Sequence, residues 1–262
     1  MHTALIRRRR RMAAPFSPAS LFANGEQGAW YEPSPTTCFT DTAGTTPAGV
    51  GDAVARINDL SGNGNHATQA TSGARPILRQ SGGLYYLEFD GTNDCFVTSS
   101  IDFTGTDKMT ICAGLDKESN SITILAELSA TIGSNARAFY LVAGEDLSSR
   151  YSSMSRGDFG ASGGRIAKFT ASGYAPDTAV ITATHDISGD LSTIRRNGVA
   201  GASATEDKGP GNFGSYPLFI GARNQSSLFF DGNLYSMVIR GAETADVSDL
   251  EAHVAAKTGV TL

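Results

Sequence analysis

Charge is scarce in this chain. Asp, Glu, Lys and Arg make up 18% of the 262 residues, against about 25% in an average soluble protein. That argues against a coiled coil, which draws roughly half its residues from Ala, Glu, Lys, Leu and Arg. No apolar run reaches the roughly 18 residues that a membrane-spanning helix needs. Cysteine is limited to Cys38, Cys95 and Cys112. An odd count without CxxC spacing offers neither a disulfide framework nor a zinc site, so buried free thiols are expected. There is one tryptophan, Trp30, read as a core or edge-packing residue rather than a sugar-stacking platform. The four histidines, His2, His66, His185 and His253, are scattered. Gly160–Gly164 (GASGG) fits GxSxG in letters but has no Lys-Ser/Thr after it and reads as a flexible loop. No P-loop signature is present, and nothing points to nucleophilic catalysis.

Glycine is plentiful, at 30 residues. Short apolar runs, nearly all of four to seven residues, alternate with Gly, Asn, Asp and Pro, at spacings too short for crossover helices. They include Leu84–Phe89, Met109–Ala113, Ala138–Val142, Ala179–His185, Pro217–Ile220 and Phe229–Arg240. In Leu84–Phe89, alternation puts Tyr85, Leu87 and Phe89 on a core face and Leu84, Tyr86 and Glu88 on the other. Asn197 and Gly198 tolerate the positive φ of a two-residue hairpin turn. The loops 148–164 and 202–215 are expected contact surfaces. One helix is expected, over 245–258. Val247, Leu250, Val254 and Ala255 share a face, Thr244 or Asp246 caps the start, and Gly259 ends it.

The net charge of −5 hides an asymmetry. Arg7, Arg8, Arg9, Arg10 and Arg11 form one block, and the remainder carries 16 bases against 26 acids. An acidic body does not bind nucleic acid broadly; only the basic head could. Residues 1–27 read as an extended arm that contains Pro, and 28–262 as one domain. Pro15 and Pro18 interrupt any signal-peptide core, and Met12 offers a second start.

Four segments then combine in order. They are Asp59–Gln69 (DLSGNGNHATQ), Glu88–Val97 (EFDGTNDCFV), Arg196–Gly198 (RNG) and Phe229–Ile239 (FFDGNLYSMVI). The set resembles the laminin-G-like, concanavalin A-like β-sandwich superfamily. Ala14–Phe22, Gly28–Ser34 and Ala256–Val260 resemble in particular its members encoded by tailed bacteriophages and prophages. The resemblance implies an all-β fold, a two-sheet antiparallel jelly-roll sandwich with an N-terminal arm and a short C-terminal helix. It implies a non-enzymatic virion protein of a tail fibre, tail tip or capsid surface, assembled in the host cytoplasm. The arm would dock on other virion proteins through Arg7–Arg11, Phe16, Leu21 and Phe22. The sandwich, as a homo-oligomer, would face host glycan or neighbouring subunits. A free lectin and a glycan depolymerase are the alternatives.

Two chemistries are weighed on this fold. Glycoside hydrolases of the fold carry a strand motif with three carboxylates. Glu88 and Asp90 match its first half, and Thr92 and Asn93 stand where the third acid belongs. Glu88 is therefore expected to be a solvent-facing strand residue. Calcium takes six to eight oxygens. Asp90, Asn93 and Asp94 are weak candidates, with Asp59, Asn63 and Asn65 behind them, since ordinary turns use the same residues. No other cofactor is expected.

Overall fold

A computed structural model describes residues 16–130, 136–144, 151–158, 166–169, 174–244 and 247–262. A 3₁₀ turn, Pro18–Phe22, precedes β1 (Gly28–Tyr31), β2 (Cys38–Phe39), β3 (Arg56–Ile57) and β4 (Ala67–Thr68). Next come β5 (Ile77–Ser81), β6 (Leu84–Asp90), β7 (Phe96–Asp102) and β8 (Lys108–Lys117). They lead to β9 (Ile124–Leu128), β10 (Phe139–Ala143), β11 (Tyr151–Ser155), β12 (Ile166–Phe169) and β13 (Asp177–Asp186). β14 (Leu191–Arg196), β15 (Val199–Ala200), β16 (Ser215–Ile220), β17 (Asp231–Arg240) and α1 (Ser248–Thr258) complete the chain.

The strands form two antiparallel sheets, the expected β-sandwich. One runs β15-β14-β13-β8-β17-β6-β5, and the other β12-β11-β10-β9-β16-β7-β4-β3-β2. Leu87 and Phe89 of β6, Leu115 of β8 and Leu234 of β17 point between them into the main core. The Asn197–Gly198 turn has both residues at positive φ, 48° and 75°, as a type I′ hairpin requires. All three cysteines are buried and free.

A second, smaller core lies outside the first sheet. There α1 lays Leu250, Val254 and Ala255 on Cys112, Val180 and Val238, and Phe22 joins them. Gly114 permits the close approach: a Cβ there would sit 1.9 Å from Thr258 Oγ1 and 2.9 Å from Val254 Cγ1. Asp249 and Glu251 in the first turn and Lys257 in the last suit the helix dipole, and Gly259 closes α1 in the left-handed region. The helix begins at Ser248, later than the sequence reading. Val247 stands at the N-cap with no side-chain cap, and residues 245 and 246 lie outside the described ones.

Two more readings change. The loop expected over 148–164 contains β11, whose five residues are all buried. The loop over 202–215 buries Ala204, Lys208 and Phe213. Lys208 Nζ donates to the carbonyls of Asp190 (3.0 Å), Glu206 (3.3 Å) and Ala204 (3.4 Å), which satisfies a buried ammonium.

Candidate functional site

β17 is paired along one edge by β8 and along the other by two strands in succession. β1 covers its C-terminal half, ending at Tyr31 opposite Met237. β6 covers its N-terminal end, stopping at Leu87 opposite Leu234. A register shift between Leu234 and Ser236 falls in the interval, on the β8 side. The chain therefore leaves a gap at Tyr235, where the two half-strands part. A groove of about 380 Å³ opens there, within the size range of small-ligand sites. Its walls include Tyr85 and Leu84 from β6, Glu32, Ser34 and Thr36 from the segment after β1, Lys257 from α1, and Tyr235 itself.

The rim is held by charge. Glu32 Oε1 accepts from His253 Nε2 and Lys257 Nζ, both at 3.1 Å. Burial pushes the Glu32 carboxyl up, but the hydrogen bonds and charges of His253 and Lys257 outweigh it and hold it below the usual carboxylate range. Tyr235 meets Tyr86 at 5.1 Å between ring centres. Burial, with Asp116, Tyr86 and Glu118 nearby, raises its phenol to about 12. The groove thus offers aromatic rings, hydroxyls and an ion pair to a ligand that is partly apolar and rich in hydroxyls.

The loop Asp59–Gln69 fixes the strand that leads to this rim. Asp59 Oδ1 accepts from the Trp30 and Ser61 amides, both at 2.8 Å, and Oδ2 from the Asn65 amide at 2.9 Å. Asn65 Nδ2 donates to the Gly28 carbonyl at 2.8 Å, and Asn63 Nδ2 to the same carbonyl at 3.1 Å. These oxygens and amides, weighed for calcium in the sequence, serve to strap β1. Trp30 packs beside α1, its ring edge-on to His253 at 5.9 Å.

The other calcium candidates form a turn. Asp90 Oδ1 accepts from the amides of Thr92 (2.8 Å), Asn93 (3.2 Å) and Asp94 (3.4 Å). Asp94 Oδ2 accepts from the Asp90 amide at 3.2 Å, and Asn93 is exposed. Burial, then the Asp90 charge, lifts Asp94 to about 6. Among the described residues no group of three or more His, Cys, Asp or Glu side chains is arranged to hold a metal ion. Glu88 is half-exposed and paired to Arg79 Nε at 2.7 Å, with the amide residue Asn233 opposite it.

Of the arm residues, Arg7–Arg11 lie outside the described ones. Phe22 is 7% exposed, and Leu21 and Phe16 pack with it against the α1 cluster. Among the described residues no helix is long and apolar enough to cross a membrane.

Sequence reading missed a buried chain of hydroxyls. His185 Nε2 meets Ser153 Oγ and Nδ1 meets Ser192 Oγ, both at 2.8 Å. This is no catalytic couple. His185 is 3% exposed, the two serines are fully buried, and burial, with Lys208, holds the imidazole at about 3. A base so weak, beyond reach of any substrate, only satisfies the core.

No protein-family model matches the chain, and no curated protein is detectably similar in sequence. Solved structures do match in fold. An arabinofuranosidase complexed with arabinofuranosyl-α-1,2-xylobiose superposes with a TM-score of 0.61 at 16% identity, over 93% of this chain and 65% of that one. The binding domain of botulinum neurotoxin serotype D gives 0.59 at 11% identity, over 91% and 53%. The receptor binding domain of a botulinum neurotoxin of mosaic serotype C/D gives 0.58 at 11% identity, over 89% and 51%. This chain therefore spans about half to two thirds of those proteins, and it shares with them the β-sandwich fold.

Proposed function

We propose that this protein is a non-catalytic β-sandwich that binds glycan in the groove between Glu32, Tyr85, Tyr235 and Lys257. The carrying observation is the groove itself, in which two tyrosines stand beside a fixed carboxylate–ammonium pair and the hydroxyls of Ser34 and Thr36. A pyranose presents an apolar face and a ring of hydroxyls, which suits such walls. The complex of the arabinofuranosidase with a saccharide supports the same ligand class on this fold. A binding role without hydrolysis is supported by Glu88, whose carboxylate is tied to Arg79. Retaining hydrolysis needs a free pair of carboxyls about 5 Å apart.

The setting we propose is the particle of a tailed phage, as a tail-fibre, tail-tip or capsid-surface component. The support is the likeness of Ala14–Phe22, Gly28–Ser34 and Ala256–Val260 to such proteins, with the basic block Arg7–Arg11 as the anchoring element. Many copies on one particle turn weak single-site binding into strong attachment.

A glycan array followed by calorimetry tests the groove. The full chain retains at least one glycan class, and Tyr235→Ala weakens it at least tenfold, about 1.4 kcal/mol. Equal binding by Tyr235→Ala would overturn the groove assignment, and release of reducing ends from any bound glycan would overturn the non-catalytic reading. Mass spectrometry of gradient-purified particles tests the setting. Absence from the particles would leave a free lectin.

A further inference from the structure

α1 covers only part of the outer face of the first sheet. Beyond it, two adjacent cross-strand rows run over β8, β17 and β6. One row is Asp116, Asn233 and Glu88, and the next brings Glu118 beside Asp231 and Asp90. Five of these six positions are acids, while the opposite side of the same strands carries Leu115, Leu234, Leu87 and Phe89. Glu88 has Arg79, and Asp90 serves its turn. Asp116, Glu118 and Asp231 have no salt bridge among the described residues. Asn233 Nδ2 donates to Glu118 Oε1 at 3.0 Å. Asn233 Nδ2 also donates to Asp116 Oδ2 at 3.5 Å, whereas Asn233 Oδ1 and Asp116 Oδ1, both buried, accept from nothing among the described residues, and Asn233 is only 7% exposed. The face thus holds acceptors that lack donors. Tyr86 and Tyr235 stand next to it, their rings tilted 43° to each other at 5.1 Å.

The course of the chain indicates what covers this face. Leu21 O accepts from Arg240 Nε at 2.8 Å. Five residues earlier, Phe16 meets the His253 ring at 6.4 Å, and His253 meets Trp30, which lies opposite Val238. Read backwards, Leu21 to Phe16 runs along β17 from Arg240 toward Val238. Continuing in that sense leads past Tyr235 to Asn233 and Asp231. At about 3.3 Å per residue, the strand from Val238 to Asn233 covers about 17 Å. An extended chain from Phe16 puts Arg11 within about 17 Å and Arg7 within about 30 Å.

We propose that Arg7–Arg11 dock in cis on the acidic face formed by Asp116, Glu118, Asp231 and Asn233. Guanidinium groups present five donors each, pair with carboxylates and stack on tyrosine rings. Tethering raises their local concentration at the face to the millimolar range, so the same chain's arm outcompetes that of a second copy. The proposal does not rest on the glycan reading, although the arm's path past Tyr235 crosses the rim of that groove. It means that the arm reaches a particle only by exchange, through a partner that competes for the arginines.

The test uses the full chain with Arg7, Arg8, Arg9, Arg10 and Arg11 all replaced by Gln, and a fluorescent peptide of residues 5–14. By anisotropy the peptide binds this variant, and binds the wild-type chain at least tenfold more weakly, because the wild-type arm already fills the face. Raising salt from about 50 to about 500 mM weakens binding to the variant severalfold, as charge pairing requires. Adding Asp116→Asn, Glu118→Gln and Asp231→Asn abolishes binding while near-ultraviolet circular dichroism stays unchanged. If the triple substitution unfolds the chain, Glu118→Gln alone, at an exposed residue, still weakens the peptide. Equal binding to wild type and variant, failure to bind the variant, or indifference to the acid substitutions would each overturn the proposal. A salt-sensitive dimer in sedimentation of the wild type would move the arm to a second copy and overturn docking in cis.

Discussion

The two ends of one sheet face are built on opposite principles. Where α1 lies, the face shows Cys112, Val180 and Val238, and the helix seals them with Leu250 and Val254. A few residues further along the same strands it shows Asp116, Asn233, Asp231 and Glu88, and among the described residues no helix covers it. The strands are shared, so backbone geometry does not distinguish the ends. Side-chain chemistry does. Apolar surface gains about 25 cal/mol per Å² on leaving water, whereas unpaired carboxylates resist leaving it. One end is sealed by apolar packing, and the other carries the charge that we propose the arm pairs with.

That contrast can be broken at its strongest point first. Glu251 is 2% exposed, and its carboxylate is paired with Arg195 Nε at 2.8 Å, across α1 and β14. Arg195→Met strands a buried charge and is expected to lose about 4 kcal/mol of unfolding free energy by urea titration. A loss under 1 kcal/mol would show that α1 does not depend on this pair. Leu250→Ala should cost about 3 kcal/mol through the cavity it leaves in the covered half. A near-neutral result would mean that the helix collapses onto the sheet.

At the bare end the sign reverses. The Asp94 carboxyl has its pKa raised in the folded state, so ionising it above pH 6 opposes folding. The wild type is therefore penalised at neutral pH and relieved as pH falls through 6 toward its unfolded value. Asp94→Asn should stabilise by about 1 kcal/mol at pH 7, with the advantage shrinking by pH 4 in thermal melts. A constant difference across that range would remove the electrostatic explanation. The smallest expected effect concerns calcium. Because the Asp90 Oδ1 and Asp59 oxygens already serve backbone amides, Tm should stay in place when EDTA is added and then calcium. A rise with calcium would place a cation in one of these turns.

Much of the fold was legible because it depends on short-range rules. The alternation in Leu84–Phe89 marked Leu87 and Phe89 for the core, and both are buried. Asn197–Gly198 and Gly259 announced a turn and a helix end through the positive φ they adopt. β11 escaped notice because its buried serines look like loop composition. Ser153 becomes tolerable inside only by meeting His185, 32 residues away in sequence. The groove escaped for the same reason. Glu32, Tyr85, Tyr235 and Lys257 share no motif, and they meet only because β1 and β6 leave a gap on the edge of β17.

Sequence by itself determined the class of the fold, the helix at its end, the burial of the thiols and the separation of a basic head from an acidic body. Periodicity, turn chemistry and net charge are local or additive, and they can be read along the chain. Tertiary structure alone decided which acids stand side by side, which half of a face receives the helix, and where the groove opens. Those outcomes depend on strand register across residues far apart in sequence, and register is set by which faces can be buried together.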